Sequence, residues 1–399
     1  MKILRITTVS SQLNLLLRGQ FNYFSDNGFE VFAASSRDFH VDELLTRENV
    51  KWFYVPFVRR FNPFKDLLSF LFLVYYILKI RPEIVHTHSP KAGLLGQLAA
   101  FICRVPCRIH TTAGLPLVES NGLIRKILFL AEKFTNSLSQ WVLPNSLNLA
   151  EYLVKNNLLS KEKVQVIGNG STNGINIDFY SPTNEIVEES NLLRLELNIP
   201  DHSKILLYVG RLANSKGISE LVKAFYVIRS SHKNIYLVLV GNVDEEDHLS
   251  KEIIKLMNKC DEIICTGHIN DVRPYFQMAD IFVFPSYREG LPQSLLQASS
   301  MAKCCIATDI GGCNEIIEHN INGLLIPTKN IESIIESVEK LLNNKNLSDN
   351  LAFSSRTIVK SKYDQKYFYS ELKKFYIEKT KKNDTSDRWK RIFRQKYLT

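Results

Sequence analysis

The loop at residues 209–217 contains two side chains suited to an anionic group, Arg211 and Lys216. A fork-shaped guanidinium and a compact ammonium can together neutralise the negative charge of a bound anion. The apolar run 205–209 before the loop predicts a buried strand. Loops at the carboxyl ends of parallel strands bind ligands in open α/β sheets, so both cations are candidates for an anion site. No Gly-Lys-Ser/Thr sequence ends the loop, which excludes a Walker A motif.

Glu289 lies in a second loop of this kind. The apolar run 281–284 predicts a buried strand, and Gly290, Leu291 and Pro292 open the helix that follows. The free N–H groups and the positive dipole end at a helix start attract anions, and a glycine lets a ligand approach closely. The alternative interpretation is a surface glutamate before an ordinary amphipathic helix.

Two histidines lie at the end of a predicted strand, residues 83–88, in the first half of the chain. The alternation of side chains along a strand puts His86 and His88 on the same side. A histidine at the carboxyl end of a strand can donate a hydrogen bond to a ligand hydroxyl or stabilise a developing charge. The alternative is a core histidine bonded to the backbone, and this alternative is favoured for His86 more than for His88.

Alternating strands and helices must position these residues. Two blocks of alternating β and α segments predict an α/β protein with two doubly wound parallel sheets. The joint falls between Pro182 and His202, so the expected domains are 1–183 and 184–370, followed by a basic stretch at 371–399. The predicted strands are 3–9, 30–35, 50–56, 83–88, 107–112, 141–145, 164–167, 205–209, 236–240, 263–266, 281–284, 304–308 and 323–327.

Composition narrows the class of protein and its partners. The 399 residues are 45% hydrophobic and 23% charged, as in a soluble globular protein, and the formal net charge of +9 indicates an affinity for anions. The basic residues are dispersed or terminal, which does not favour a nucleic-acid binder. The seven cysteines include no Cys-x-x-Cys pair, and the first residues predict a strand and not a signal peptide, so we expect a cytoplasmic protein.

Three segments bear on contact with a membrane. The apolar segment 67–78 is too short to span a bilayer, and a buried crossover helix is favoured over a membrane-embedded one. Residues 55–65 are both aromatic and basic, which suits a loop that touches anionic lipid. Residues 371–399 contain ten Lys/Arg and four Asp/Glu. They predict either a basic amphipathic helix on a surface or a terminal helix packed across the other domain.

Together these motifs resemble the GT-B glycosyltransferases of family 4. The resemblance rests on Gly-Arg-Leu…Lys-Gly at 210–217, on Gly-Gly-x-x-Glu at 311–315, and on Glu289 with Gln297 in the positions of a Glu-x7-Glu pattern. It covers nearly the whole chain and is strongest at 209–327. It implies two Rossmann-like domains that face each other across a cleft, with the C-terminal helix crossing back to the first domain.

The resemblance also implies roles for individual residues. Arg211 and Lys216 would clamp the diphosphate of the donor, Glu289 would hold donor sugar hydroxyls, and His88 would contact the donor sugar near the transfer centre. The remaining donor-binding candidates are Gly210, Gly241, Asn242, Gly267, His268, Ile269, Gly290, Leu291 and Gln297. The candidates for acceptor contact or for the wall of the cleft are Ser10, Ser11, His110, Thr111, Gly114, Asn145 and Asn169.

The implied reaction is the retaining transfer of a sugar from a nucleotide sugar, most simply a UDP-sugar. The chain has no Asp-x-Asp pair, so we expect neither a metal ion nor a cofactor beyond the donor itself. The expected acceptor is a glycan or a polyprenyl-diphosphate-linked sugar in bacterial surface polysaccharide synthesis. The net charge and the basic aromatic segments favour a peripheral position on the inner face of the cytoplasmic membrane.

The chain departs from the family pattern at a few positions. Gln297 replaces a glutamate expected to hold the ribose diol, which predicts weaker donor binding without loss of activity. Asn176 and Tyr180 replace an aspartate and a phenylalanine, and no glycine pair follows the first strand. A sugar-nucleotide epimerase of the same architecture and a non-catalytic sugar-binding partner of another transferase remain alternatives.

Overall fold

A computed structural model describes residues 1–58, 60–115, 117 and 120–381. The chain divides into two units, the first made of Met1–Gly174 and the chain from Gln365 onward, the second of Ile175–Asp364. The second unit starts earlier than the predicted 184, because Ile175 forms a parallel bridge with Asp364. The cleft expected between the units stays a prediction.

The first unit is built on a six-stranded parallel sheet of order β3-β2-β1-β4-β5-β6. Its strands are β1 Lys2–Val9, β2 Glu30–Ser36, β3 Lys51–Tyr54, β4 Ile84–His88, β5 Cys107–Thr112 and β6 Trp141–Pro144. Its first six helices are α1 Gln20–Asp26, α2 His40–Arg47, α3 Pro63–Ile80, α4 Pro90–Ile102, α5 Gly122–Leu138 and α6 Leu147–Lys155. A π-helical turn at Gln12–Leu16 follows β1.

The second unit is built on a parallel sheet of order β12-β11-β10-β7-β8-β9. Its strands are β7 Lys204–Val209, β8 Ile235–Val240, β9 Ile263–Gly267, β10 Ile281–Phe284, β11 Cys304–Thr308 and β12 Leu324–Ile326. Its helices are α7 Asn184–Glu196, α8 Ile218–Ser231, α9 Lys251–Lys259, α10 Arg273–Met278, α11 Gln293–Ser300, α12 Cys313–Ile316, α13 Ile331–Leu342 and α14 Lys345–Tyr363. The predicted architecture of two doubly wound parallel sheets is confirmed.

The last described helix, α15 Gln365–Lys381, belongs to the first unit. Its residues Phe368, Tyr369, Leu372, Phe375 and Tyr376 are buried in the same core cluster as the apolar residues of α1 and β1. The predicted return of the C-terminal helix to the first domain is therefore confirmed, and this helix is not a surface-lying one. Residues 382–399, which include Trp389, Ile392 and Phe393 of the predicted amphipathic stretch, lie outside the described residues.

Right-handed crossovers put α3, α4 and α5 on one face of the first sheet, because the chain moves in one direction through β3, β4, β5 and β6. Helix α4 packs against α3 on one side and against α5 on the other. Apolar residues of α3 and α4 form a core with one side of β1, β2 and β4. Helices α1 and α15 contribute to the core on the opposite face.

Two sequence predictions need correction in this unit. The predicted strand at 164–167 is absent, and Val164 makes only an isolated parallel bridge to Val142. The backbone turns at Gly168 and Gly170, both with positive φ, so no ladder extends there. Segment 67–78 does lie in a crossover helix, α3, but the helix is only partly buried, at Ser69, Leu73, Ile77 and Ile80. Within the described residues, no helix combines the length and the apolar character needed to cross a membrane.

Candidate active site

The loops that contain the predicted anion-binding residues lie side by side in the second unit. Strand order in the second sheet reverses between β7 and β10, and the loops at the carboxyl ends of these two strands flank the point of reversal. Arg211 and Lys216 belong to the loop after β7, and Glu289 belongs to the loop after β10. Open α/β sheets bind their ligands at such a reversal, so both predicted loops occupy the expected position.

Lys216 and Glu289 form an ion pair across these loops. The Lys216 Nζ lies 2.5 Å from Oε1 of Glu289, and the two side chains are 18% and 14% exposed. Gly217, with φ +69°, follows Lys216 and is the N-cap residue of α8, and a Cβ at this position would collide with the carbonyl of Pro285. A side chain at position 217 would therefore push the two loops apart.

Hydrogen bonds also join the two loops. The Tyr287 N–H donates to the Ser215 carbonyl at 2.9 Å, and the Tyr287 hydroxyl donates to Oε2 of Glu220 on α8 at 2.7 Å. Thr308, at the end of β11, donates its hydroxyl to the Ser286 carbonyl. These bonds fix Glu289 relative to Lys216, as an electrostatic site requires.

Arg211 is held by a residue that the sequence analysis missed. Its guanidinium forms an ion pair with Asp244, in the segment that follows β8. Hydrogen bonds from the backbone N–H groups of Asp247 and Glu246, together with the Arg211 guanidinium, lower the pKa of Asp244 despite some burial. Asp247 in turn accepts from the Ser215 N–H at 2.9 Å. Nothing in the spacing of residues 243–247 distinguishes these carboxylates from solvated surface charges.

Buried Tyr208, on β7, fixes the start of the same loop. Its hydroxyl donates to the Arg211 carbonyl at 3.0 Å. Burial raises the pKa of Tyr208 well above its ordinary value, and the nearby Glu289 carboxylate raises it further. The phenol therefore stays protonated and keeps this bond.

The other predicted donor-binding residues also lie at carboxyl ends in this sheet. Gly210 and Gly241 follow β7 and β8 and come so close together that a Cβ on Gly241 would collide with the Gly210 carbonyl. The Gly241 N–H donates to the Gly267 carbonyl at 2.9 Å, and the Leu212 N–H donates to the Asn242 carbonyl at 2.9 Å. His268 and Ile269 follow β9 directly, and Gly290 and buried Leu291 follow Glu289. Their roles as nucleotide contacts stay predictions.

Gln297, on α11, contacts Tyr180, a second residue of this unit that departs from the family pattern. The Gln297 side-chain amide donates to the Tyr180 hydroxyl at 2.8 Å. A phenylalanine at position 180 would offer no partner to this amide. The two departures therefore compensate each other in this structure.

The predicted residues of the first unit are also arranged around a reversal of strand order, between β1 and β4. Ser10 and Ser11 follow β1, and His88 ends β4. Ser10 donates its hydroxyl to Asp38, and the Ser11 N–H donates to Oδ2 of Asp38 at 3.0 Å. Both serines are therefore fixed by a carboxylate that the sequence analysis did not single out.

His88 is buried without a hydrogen-bond partner. It is 6% exposed, and neither ring nitrogen meets a partner among the described residues. Its ring stacks on His86 with centroids 4.3 Å apart, which confirms that the two side chains share a side of the strand. Burial, and then the neighbouring Arg5 and His110, lower the pKa of His88 well below its ordinary value. The ring is thus neutral at physiological pH, with one donor and one acceptor nitrogen.

His86, by contrast, belongs to a directed chain of hydrogen bonds. Arg5 donates to the Tyr376 hydroxyl oxygen at 2.6 Å. A guanidinium can only donate, so the Tyr376 proton goes to His86 Nδ1, which lies 2.6 Å away. His86 then carries its own proton on Nε2 and donates to Thr111 Oγ1 at 2.7 Å. The structural role favoured for His86 agrees with this geometry.

Neither Arg5 nor Tyr376 was among the site residues predicted from the sequence. Arg5 is 2% exposed and also donates to Gln20 Oε1 at 2.7 Å. No carboxylate in the described part of the chain forms an ion pair with it, and burial lowers its pKa. An arginine inside the apolar strand 3–9 was a visible signal. Tyr376 gave no signal, because it lies 371 residues from Arg5.

The remaining candidates of the first unit are less closely grouped. His110, on β5, is 2% exposed, and its Nδ1 lies 2.9 Å from Thr87 Oγ1, on the side of the strand opposite Thr111. Burial lowers the pKa of His110 to about 4. Asn145 follows β6, and its side-chain oxygen is buried without a partner among the described residues. Gly114 is exposed after β5, and Asn169 lies half-buried in the turn between Gly168 and Gly170.

Family models match both halves of the chain. The model for Glycosyltransferase Family 4 matches residues 21–171, and the model for glycosyl transferases group 1 matches residues 190–357. The chain belongs to the family 4 glycosyltransferases. It is accordingly an enzyme that transfers a glycosyl group.

Known proteins resemble this glycosyltransferase over most of its length. It is 29% identical to the capsular polysaccharide biosynthesis glycosyltransferase CapM of Staphylococcus aureus, over 94% of this chain and 96% of that one. It is 27% identical to UDP-Gal:alpha-D-GlcNAc-diphosphoundecaprenol alpha-1,3-galactosyltransferase of Escherichia coli, over 75% of this chain and 77% of that one. The crystal structure of Anabaena Alr3699/HepE in complex with UDP-glucose superposes with a TM-score of 0.79 at 18% identity, over 95% and 100%. This likeness confirms the GT-B fold.

Proposed function

We propose that the protein transfers a sugar from a UDP-sugar, with retention of configuration, to a glycan or polyprenyl-diphosphate-linked acceptor in bacterial surface polysaccharide synthesis. The observation that carries this proposal is the grouping of Arg211, Lys216 and Glu289 at the reversal of strand order in the second sheet. A glycosyl transfer from a nucleotide sugar needs charge stabilisation of the leaving diphosphate at one place and a hydrogen-bond acceptor for sugar hydroxyls beside it. These side chains supply both.

The donor diphosphate binds Arg211 and Lys216. The ammonium of Lys216 has three donors, so its bond to Glu289 is compatible with further bonds to the diphosphate. Glu289 accepts hydroxyl groups of the donor sugar. As the bond to the diphosphate breaks, negative charge grows on the leaving oxygen, and fixed cations stabilise that charge without reorganising. The acceptor hydroxyl attacks the face from which the diphosphate departs, so its oxygen forms the new bond to the sugar carbon while its proton passes to the departing phosphate oxygen.

His88 contributes an uncharged imidazole that binds hydroxyl groups of the sugar. Neither of its ring nitrogens has a hydrogen-bond partner among the described residues, so the ring has one donor and one acceptor left for sugar hydroxyls. The diphosphate charge is met by cationic side chains and by the free N–H groups at the start of α11, and we propose that no metal ion takes part. Within the described residues, no group of three or more His, Cys, Asp or Glu side chains is arranged to hold a metal.

The relatives support the choice of substrates. The Escherichia coli relative is named for a UDP-sugar donor and a diphosphoundecaprenol-linked acceptor. The Staphylococcus aureus relative is named for capsular polysaccharide biosynthesis. We propose that the same classes of donor and acceptor serve this chain, and that it works peripherally on the inner face of the cytoplasmic membrane.

Mass spectrometry of reaction products tests the proposal. Purified protein is incubated with a panel of UDP- and GDP-sugars, with and without a polyprenyl-diphosphate-linked sugar and with and without EDTA. We expect one UDP-sugar to extend the acceptor by one residue, with EDTA having no effect and NMR showing retained anomeric configuration. Conversion of the donor without acceptor would indicate an epimerase. An absence of any product with preserved sugar binding would indicate a non-catalytic partner.

A further inference from the structure

Helix α5 leaves most of its large apolar side chains in solvent and buries several polar ones. It buries Glu132, Thr135, Asn136 and Leu138, and it packs only Leu128 and Phe129, both partly buried, against the core cluster around Val142 and Leu153. Its exposed large apolar side chains are Leu123 at 72%, Ile124 at 64%, Ile127 at 56%, Leu130 at 64% and Phe134 at 46%. An ordinary surface helix has the opposite arrangement, with its apolar stripe in the core. An exposed apolar helix face of this kind marks a surface that another apolar medium covers.

The apolar side of α5 continues onto neighbouring helices. Helix α3 exposes Phe64, Leu67, Leu68, Leu71, Tyr75 and Leu78. Helix α4 packs between α3 and α5, and its last residues, Phe101 and Ile102, are 52% and 55% exposed. The exposed apolar residues therefore spread across the three helices that cover one face of the first sheet.

The charges on α5 are of one sign. Arg125, Lys126 and Lys133 are exposed, while Glu132, the only acidic residue of the helix, is buried. Basic residues flanking exposed Leu, Ile and Phe side chains are typical of helices that lie in the interface of an anionic bilayer. Cations there gain from the negative surface potential of acidic lipids.

The same charges disfavour two other candidates for covering this surface, a second copy of the chain and the chain's own residues 382–399. A second copy packed on this face in a two-fold dimer would bring Arg125, Lys126 and Lys133 of one copy against those of the other. The stretch 382–399 of the same chain has six Lys/Arg and two Asp, so it too is of like charge. An anionic lipid surface complements both the apolar side chains and the cations.

We propose that the exposed sides of α3 and α5 form a docking surface for an anionic lipid bilayer, with the first two turns of α5 entering the interface. Helix α5 follows the carboxyl end of β5, which is also the edge where Thr111 and His88 lie. The surface would thus hold the acceptor side of the first unit against the membrane. Only this last point rests on the proposed function, since lipid binding itself requires no substrate.

Vesicle flotation tests the docking surface. The full chain is mixed with vesicles of phosphatidylcholine alone or of phosphatidylcholine with phosphatidylglycerol. We expect binding to the anionic vesicles, and a loss of at least about tenfold in the double variant Leu123→Glu/Ile127→Glu, because two leucine-sized side chains no longer leave water. Arg125→Gln/Lys126→Gln should lose roughly fivefold per charge on anionic vesicles and nothing on neutral ones.

A matched control comes from the second unit. Leu192 and Leu195 on α7 are 62% and 66% exposed, so Leu192→Glu/Leu195→Glu makes the same chemical change elsewhere. It should leave vesicle binding unchanged. Equal losses in the two double variants, or no binding of the unmodified chain to anionic vesicles, would overturn the proposal. A concentration-dependent dimer that Leu123→Glu/Ile127→Glu abolishes would assign the surface to a second copy.

Failure of the docking surface can be distinguished from failure of the proposed function. UDP binding, measured as a shift in melting temperature, reports on the second unit alone. We expect Leu123→Glu/Ile127→Glu to keep this shift and to keep transfer to a water-soluble acceptor analogue, while transfer to an acceptor embedded in vesicles falls. Lost UDP binding in the unmodified chain would contradict the proposed function and leave the vesicle result standing.

Discussion

The two sheets of this enzyme share a geometry and differ in electrostatics. Each has six parallel strands and one reversal of strand order, with polar residues at the carboxyl ends beside it. In the second unit these residues are ion pairs, Lys216 with Glu289 and Arg211 with Asp244. In the first unit they are buried neutral imidazoles, around an arginine that no described carboxylate pairs with.

The difference indicates a division of chemical work. A leaving diphosphate carries charge, and charge is best stabilised by fixed cations whose counter-ions hold them in place. A sugar hydroxyl is neutral, and a neutral imidazole with two available nitrogens can bind it without a strong field. The fold puts a potential binding site at the reversal of strand order in both units. The side chains at each site determine whether it binds the charged diphosphate or the neutral sugar hydroxyls.

The largest effect should follow from breaking the ionic site. Lys216→Met removes a cation from the proposed diphosphate site, and we expect kcat to fall about 10³-fold in the transfer assay. It also leaves the mostly buried Glu289 without its counter-ion, so the second unit should lose roughly 1–3 kcal/mol of stability in urea denaturation. Glu289→Gln added to this variant should restore stability but not the rate.

Lys204→Met is the matched control, because it removes a lysine from an ion pair at the other end of β7. Lys204 is 52% exposed and lies 2.7 Å from Asp280. We expect unchanged kcat and a stability loss of about 0.5 kcal/mol. If Lys216→Met kept full kcat, Lys216 would not stabilise a leaving group, and the proposed role of the ionic site in the second unit would be wrong.

The next effect separates the two stacked histidines of the first unit. His88→Leu should lower kcat about 10²-fold and leave stability nearly unchanged, because no hydrogen bond of the described chain is lost. His86→Leu leaves the Tyr376 and Thr111 hydroxyls without their partner, so it should cost roughly 2–4 kcal/mol of stability. Transfer kinetics and urea denaturation give both readouts. Full kcat in His88→Leu would remove this residue from the proposed mechanism.

Much of this arrangement follows from the sequence, for a physical reason. Short apolar runs alternating with helices dictate parallel strands, and parallel strands deliver the residues after them to one edge. Arg211, Lys216 and Glu289 could therefore be grouped without coordinates. The prediction of a strand at 164–167 was wrong because β propensity does not reveal whether a segment has a neighbouring strand to pair with. Val164 forms one bridge, and the turn at Gly168 ends the segment soon after it.

Contacts between distant segments could not be predicted in this way. The bond between Arg5 and Tyr376 joins the first strand to the last described helix, and a single sequence has no local pattern for such a pair. Asp244 resembles its acidic neighbours until the end of β8 is placed beside Arg211. The apolar residues of α5 are visible as a stripe, but a stripe alone does not tell whether it faces the core or the solvent.

A smaller effect should appear in the pH dependence of stability in the first unit. Burial lowers the pKa of His110 from 6.5 to about 4. As pH falls from 6.5 to 4, the unfolded chain takes up a proton that the folded chain refuses, so the folded state loses stability. The free energy of unfolding, measured by urea denaturation, should therefore fall by roughly 2 kcal/mol less between pH 6.5 and pH 4 in His110→Gln than in the unmodified chain.

Glu132→Gln provides a control of opposite sign. Burial raises the pKa of Glu132 to about 7. Between pH 4.5 and 7 the folded chain holds a proton that the unfolded chain releases, so stability falls as pH rises, and Glu132→Gln should remove that fall. Equal pH dependence in the His110→Gln variant and the unmodified chain would show that His110 is not held neutral by burial.

The smallest effect tests whether the second unit lacks one charge that its site could use. Gln297→Glu places a carboxylate beside Tyr180, and a charged acceptor binds a ribose diol more strongly than an amide does. We expect UDP-sugar affinity, measured by calorimetry, to rise about threefold to tenfold, a gain of about 1 kcal/mol. Tyr180→Phe removes the hydroxyl that accepts the hydrogen bond from the Gln297 amide. In the chain with the native Gln297, this change should lower the affinity for the UDP-sugar only if the amide contacts the ribose. An unchanged affinity in both Gln297→Glu and Tyr180→Phe would place position 297 outside the donor site and confine the ionic contribution to Arg211, Lys216 and Glu289.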